Sequence, residues 1–253
     1  MSYELREYTY SVGESVESIA GSVKKNGLAI IEDYFGIYDL NSLDKEVSKY
    51  FDQMNPKDQW IIESSGIGKT KDSYMAGKVI RITPSSYSMF PTLSTMFIRD
   101  IWMHKVIDNF YGTSNNKYMQ IFATHETIRR NSEWEDGMNH NAGLHFDPYQ
   151  SFKIATYLQD TTRENGAFKI IPGSSFEGKK NRENLKPTMW KGQSILDCSS
   201  PFKGSSYSLD DVVYVEAKAG SLILFDTDAW HGGGEIHSDD LERKFVVCHN
   251  RQR

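Results

Sequence analysis

The hydrophobic period of this chain changes once, near residue 115, and that change limits the folds open to it. Before it, apolar residues recur at helical spacing; after it, they alternate in short runs bounded by turn residues. Val16, Ile19, Ala20 and Val23 share one helical face behind a capping box formed by Ser11 and Glu14. Gly27 ends that helix, and Leu28 to Ile31 reads as a buried strand. Leu40, Leu43, Val47, Tyr50 and Met54 place a second helix over roughly 39–54. A third is expected from Pro91 to Gly112, carrying Leu93, Met96, Phe97, Ile101 and Ile107. Between the last two, only Lys78 to Ile82 reads as a strand. Helices are therefore expected to dominate the first 110 residues or so.

Beyond that point six short β runs are expected: Tyr118–Ile128, Phe152–Leu158, Ala167–Ile171, Val212–Val215, Ser221–Phe225 and Lys244–Cys248. Short strands at such spacing build a sandwich or barrel. The expected class is mainly β with helices (α+β). One domain spans 1–253, with 1–115 as a mostly helical flank and 116–253 as the β core; 253 residues suffice for one large core. Residues 131–142 are polar and loop-like. Residues 173–210, rich in Gly, Ser, Lys and Asn, read as a lid, a binding loop or a disordered stretch.

Charge narrows the partners. With 29 basic against 34 acidic residues the net charge is −5, and no long basic run exists to grip nucleic acid. No stretch approaches the eighteen or so apolar residues of a membrane span, and the first residues lack an apolar signal region. A cytoplasmic protein acting on a small molecule, as a monomer or weak homo-oligomer, is expected. Cys198 and Cys248 do not form a disulfide framework and are read as free thiols.

The chemistry gathers at Gly143-Leu144-His145-Phe146-Asp147-Pro148 and, far downstream, Trp230-His231-Gly232. On an extended segment His145 and Asp147 point the same way. Two imidazoles and one carboxylate make the ligand set that leaves half of a metal's positions open, as in non-haem Fe(II) oxygenases. Catalytic zinc uses a similar set, so a metal hydrolase is one rival, and a non-catalytic jelly-roll binding module is the other.

Two further stretches decide between them. Asn165-Gly166-Ala167-Phe168-Lys169-Ile170-Ile171-Pro172-Gly173-Ser174-Ser175 and Ala219-Gly220-Ser221-Leu222-Ile223-Leu224-Phe225-Asp226, the latter running on to His231, resemble motifs of the phytanoyl-CoA dioxygenase-like family in the right order. The resemblance covers roughly 140–250. It implies a double-stranded β-helix (a jelly roll) and an Fe(II)- and 2-oxoglutarate-dependent oxygenase that uses O₂ and releases succinate and CO₂. It makes His145, Asp147 and His231 the metal ligands and Arg243, twelve residues after His231, the anchor of the distal carboxylate of 2-oxoglutarate. A planar guanidinium suits a carboxylate because it donates two charge-assisted hydrogen bonds. Relatives often carry a Ser or Thr two residues after the second histidine. Here Gly233 stands there, so Thr156 or Tyr157 is expected to supply the hydroxyl. Related halogenases replace the carboxylate ligand by a small residue; Asp147 therefore argues for hydroxylation, desaturation or cyclisation. The expected substrate is small and polar, an amino acid or a natural-product intermediate, because an acyl-CoA calls for a basic entrance. Arg81, Trp134 (with Glu135 and Asp136), Tyr149 and Trp230 are the candidate substrate contacts. His125 is placed on a strand bordering the pocket, and Gly232-Gly233-Gly234 is read as a flexible turn.

Overall fold

A computed structural model describes residues 3–56, 58–71, 77–114, 117–127, 143–185, 187–190, 193–196 and 205–252. Trp134, Glu135, Asp136 and the whole 131–142 segment lie outside the described residues, as does Cys198.

The helices of the first 111 residues pack onto one shared core. Helix α1 (Val16–Asn26) is capped not by Ser11 but by Ser15, whose hydroxyl accepts from the amide of Ser18; Gly27 closes it in the left-handed region at φ 77°. Helix α2 (Ile37–Phe51) lies slightly earlier than the spacing predicts. The expected third helix is three pieces: α3 (Pro91–Leu93), a π turn over Ser94–Ile98, and α4 (Ile101–Tyr111). Asp100 causes the break: its side chain accepts from the amide of Met103 at 2.9 Å, which starts a fresh helix where continuous periodicity suggested none. Helix α5 (Ser175–Glu183) stands inside the segment read as a loop.

Among the described residues the strands are, in chain order, β1 (Thr9–Tyr10), β2 (Leu28–Ile31), β3 (Asp58–Glu63), β4 (Gly66–Lys71), β5 (Gly77–Ile82), β6 (Lys117–Glu126), β7 (Phe152–Tyr157), β8 (Lys169–Ile170), β9 (Pro187–Trp190), β10 (Gln193–Leu196), β11 (Val213–Tyr214), β12 (Leu222–Asp226), β13 (His231–Gly232) and β14 (Arg243–Gln252). Nine of them form one sheet in the order β1-β2-β12-β7-β14-β6-β5-β3-β4, and three form a smaller sheet, β11-β8-β13. The first 115 residues are more helix than strand, as expected, yet they also extend the main sheet through β1–β5. Together the two sheets make the double-stranded β-helix.

Alternation along the long strands sorts the interior into two compartments. On β14, Val246 and Cys248 join the core beneath the helices, whereas Phe245 and Val247 face the smaller sheet. On β7, Phe152 and Ile154 take the helix side, while Ala155 and Tyr157 take the barrel side. The site lies on the barrel side, so strand parity decides which side chains can reach it.

Candidate active site

The first and second histidine segments are antiparallel neighbours. The His145 amide donates to the carbonyl of His231 at 2.9 Å, and the His231 amide returns a bond to His145 at 2.8 Å. The family-like stretch after Asn165 sets this up. The amide of Ile171 donates to the carbonyl of Trp230 at 2.8 Å, and the amide of Trp230 donates to Oγ of Ser174 at 2.8 Å. Trp230 is thereby held on both backbone groups, which fixes the residue that follows. The carboxylate segment is tied down in turn by the bond from the Asp147 amide to the carbonyl of Thr227, 3.0 Å.

Each imidazole has its tautomer set by a backbone carbonyl. Nδ1 of His145 lies 3.0 Å from the oxygen of Gly143, and Nδ1 of His231 lies 2.8 Å from that of Ala229. A carbonyl accepts only, so Nδ1 carries the proton and Nε2 presents a lone pair. Both lone pairs face Oδ1 of Asp147, at 3.9 Å from His145 and 3.6 Å from His231. His231 Nε2 is buried without a hydrogen-bond partner. Three electron-pair donors with ligand atoms all within 4.8 Å of one another repel unless a cation sits between them. The donor set therefore fits a metal ion.

Electrostatics agree. Desolvation, joined by the neighbouring imidazole of His231, pushes His145 down to about 4 and keeps it neutral. Burial alone would raise Asp147, but Lys153 and the two imidazoles outweigh it and hold the carboxyl well below its ordinary range. The Lys153 ammonium is 2.9 Å from Oδ2 of Asp147, with Ser151 Oγ at 3.5 Å from the same oxygen. Sequence reasoning missed this lysine. It belongs to the barrel side of β7 by parity, a signal that could have found it once the strand's register was known. His249, opposite Lys153 on β14, was also missed; its Nδ1 is buried without a partner, and burial followed by the Lys153 charge holds the ring well below its usual range.

Arg243 sits on the barrel side at the start of β14, 4% exposed. It does not pair with Glu242 or Asp240. Its Nη2 is 2.8 Å from Glu126, directly across on β6, and its Nη1 donates to the carbonyl of Gly166. Nε has no partner and is buried, leaving one donor of the fork for a ligand.

Other sequence candidates fare differently. Thr156 points the wrong way: it shares the helix side of β7 and donates to the carbonyl of Ser221 at 2.9 Å. Tyr157 is on the barrel side near Arg243, but its hydroxyl is committed, accepting from the Phe168 amide at 2.8 Å and donating to Val215 at 3.2 Å. Trp230 is fully buried against Phe146, ring centroids 5.2 Å apart, and so packs behind the two histidine segments rather than lining a pocket. Tyr149 is 49% exposed, with Arg251 stacked over its ring at 3.7 Å. Arg81 does face the barrel and donates through Nη2 to the amide oxygen of Gln120 at 2.8 Å. His125 lies on the helix side, with Nε2 2.7 Å from Glu242 and its ring against Phe51, away from the ligands. Gly232 and Gly234 are not a loose turn. A Cβ on either would fall 2.4 Å or less from a backbone oxygen, that of Gly143 or Ala167.

Residues 23–245 match the phytanoyl-CoA dioxygenase (PhyH) family. The chain belongs to that family. As a PhyH protein it is a dioxygenase of the Fe(II)- and 2-oxoglutarate-dependent class. Among similar proteins are a phytanoyl-CoA dioxygenase domain-containing protein 1 homolog of Dictyostelium discoideum, 23% identical over 229 residues (88% of this chain, 78% of that protein), and the dioxygenase cdmD of Talaromyces verruculosus, 22% identical over 246 residues (89% and 70%). Solved structures sharing the fold include EvdO2 from Micromonospora carbonacea var. aurantiaca complexed with 2-oxoglutarate (13% identity, TM-score 0.59, 95% of this chain and 93% of that one). The epimerase SnoN, in complex with Fe3+, alpha ketoglutarate and nogalamycin RO, shares it too (12%, TM-score 0.54, 94% and 83%). Among the described residues no helix of this PhyH protein is long and apolar enough to cross a membrane.

Proposed function

We propose that this PhyH protein oxidises a C–H bond of a small polar metabolite, by hydroxylation or by desaturation or cyclisation, with His145, Asp147 and His231 as the iron ligands and Arg243 as the 2-oxoglutarate anchor. The reading rests on one observation above all: two tautomer-locked Nε2 lone pairs and Oδ1 of Asp147 converge, with that of His231 buried and unpartnered. Bound there, iron with 2-oxoglutarate and O₂ supplies the oxidising power, and succinate and CO₂ are the co-products. The chain's own contribution is placement and exclusion. Phe225 and Phe168 lie 5.4 and 6.0 Å from the His231 ring, a dry wall on one side of the centre. Asp147 stays ionised beside Lys153, which keeps it a ligand across the working pH range.

A small polar substrate is favoured over an acyl-CoA by the net charge of −5, which offers little to a phosphate-rich ligand. The complex of SnoN with nogalamycin RO supports a natural-product intermediate as one form of it. Anaerobic addition of Fe(II) and 2-oxoglutarate is expected to give a weak visible absorption band in the native protein and none in Asp147→Ala. A succinate-release screen over amino acids, amines and natural-product acids then identifies the substrate. No band and no succinate with any compound would overturn the oxygenase reading.

A further inference from the structure

We propose that Lys153 is the charge-balancing residue of this site, making the metal-loaded centre a receptor for an anion; the inference rests on the ligand assignment just given. The Lys153 side chain is 10% exposed and its ammonium lies 2.9 Å from Oδ2 of Asp147. An ammonium is buried only where a partner compensates it, and the partner here is a metal ligand. The carboxylate is thus divided: Oδ1 faces the two imidazoles, and Oδ2 faces the lysine. Asp147 and Lys153 cancel in charge, and an imidazole that offers a metal its Nε2 lone pair adds none. A divalent ion added to that set keeps both of its charges, whereas the same triad without a lysine would leave one. Among the described residues no neighbour can take over this role. The Phe225 ring sits 5.6 Å from the ammonium, His249 across the strand pair is held neutral, and Arg251 is stacked on Tyr149.

The consequence has two opposite signs. A buried ammonium beside the carboxylate repels an incoming cation, so Lys153 opposes metal binding. Once the metal is in place, the undiminished charge in a poorly solvated barrel favours dianionic 2-oxoglutarate. A lysine that merely propped up Asp147 would do the reverse: its loss would weaken metal binding and leave 2-oxoglutarate alone.

Lys153→Gln separates the two, because it keeps a donor for Oδ2 and drops the charge. Metal-free protein is titrated with Co(II) by calorimetry, and the Co(II)-loaded protein is then titrated anaerobically with 2-oxoglutarate. Lys153→Gln is expected to bind Co(II) at least as tightly as the native protein, and 2-oxoglutarate about tenfold more weakly. Lys153→Arg should restore the latter. Should Lys153→Gln not fold, Lys153→Asn, which also offers an uncharged amide donor, serves for the same pair of titrations. Weaker Co(II) binding with unchanged 2-oxoglutarate affinity overturns the proposal, as does no change in either. A native protein that takes up no Co(II) at all removes the ligand assignment itself, and this inference with it.

Discussion

Gly232 sets the separation of the two ligand imidazoles, and one added methyl group tests that. A Cβ there would stand 2.4 Å from the carbonyl oxygen of Gly143 and 3.0 Å from its carbon. A relaxed carbon–oxygen contact is about 3.3 Å, so the two segments must part by roughly 1 Å. They can do so only by stretching the paired His145–His231 backbone bonds, 2.9 and 2.8 Å in the native fold. Overpacking of this kind costs about 1–3 kcal/mol, and each weakened hydrogen bond up to about 1 kcal/mol. A loss of roughly 2–4 kcal/mol lowers Tm by about 5–12 °C for a chain of this size. The same parting separates the two proposed ligands of one ion, and Co(II) affinity should fall about 10–100-fold. Gly220→Ala is the control. Its Cβ would meet the oxygen of Phe35 at 2.5 Å, with φ at +82°, but it sits under the helices away from the ligands. It should lose comparable stability while folded protein keeps native Co(II) affinity. Scanning calorimetry and Co(II) titration of both variants check this. Native affinity in Gly232→Ala, or an equal loss in Gly220→Ala, would refute the claim that backbone contact spaces the imidazoles.

Three other perturbations discriminate between parts of the structure. Arg243→Met leaves Glu126 without its 2.8 Å partner, at a cost of about 3–5 kcal/mol; adding Glu126→Leu should recover the melting temperature but not 2-oxoglutarate binding, and recovery of both would sink the anchor role. Thr156→Val removes a bond to Ser221 on the helix side and should cost about 1 kcal/mol with no change in 2-oxoglutarate affinity; a weakened affinity would return Thr156 to the site. Asp226 is pushed up to about 6, chiefly by burial. Its folded form therefore holds a proton that the unfolded chain releases near pH 4, and its presence costs stability increasingly as pH rises from about 4 to 6, with a ceiling of about 3 kcal/mol above that. Asp226→Asn should accordingly raise Tm at pH 8 and leave it nearly unchanged at pH 4.5; equal shifts at both pH values would contradict the burial argument.

The convergence of the proposed metal ligands was legible because their chemistry is rare and their neighbours are specific. His145, Asp147 and His231 come from two segments whose flanking residues carry the family resemblance, and the structure makes those segments adjacent. Strands with an apolar, alternating run were legible too: β2, β5, β7, β12 and β14 fall close to where the pattern puts them. Elements that rely on local polar chemistry were not. Asp100 ends one helix and begins another inside an unbroken apolar period, and α5 forms in a polar stretch with Gly178 pressed against the backbone of Asp228, where no side chain fits.

What composition could not deliver was register. Thr156 and Tyr157 were equal candidates by sequence, yet neighbours on a strand face opposite compartments, and the helix-side residue of such a pair is lost to the site whatever its chemistry. The same parity brings in Lys153, which carries no motif, and sets Glu126 opposite Arg243, 117 residues away along the chain by their numbering. Both alter the charge at a ligand or an anchor. A site read from ligand types alone would assign Arg243 a free guanidinium and Asp147 an uncompensated charge; the strand pairing shows each already bonded to a buried ion of opposite sign. The proposed cosubstrate site thus carries four charged side chains rather than two, and two of the four become visible only when the sheet is assembled.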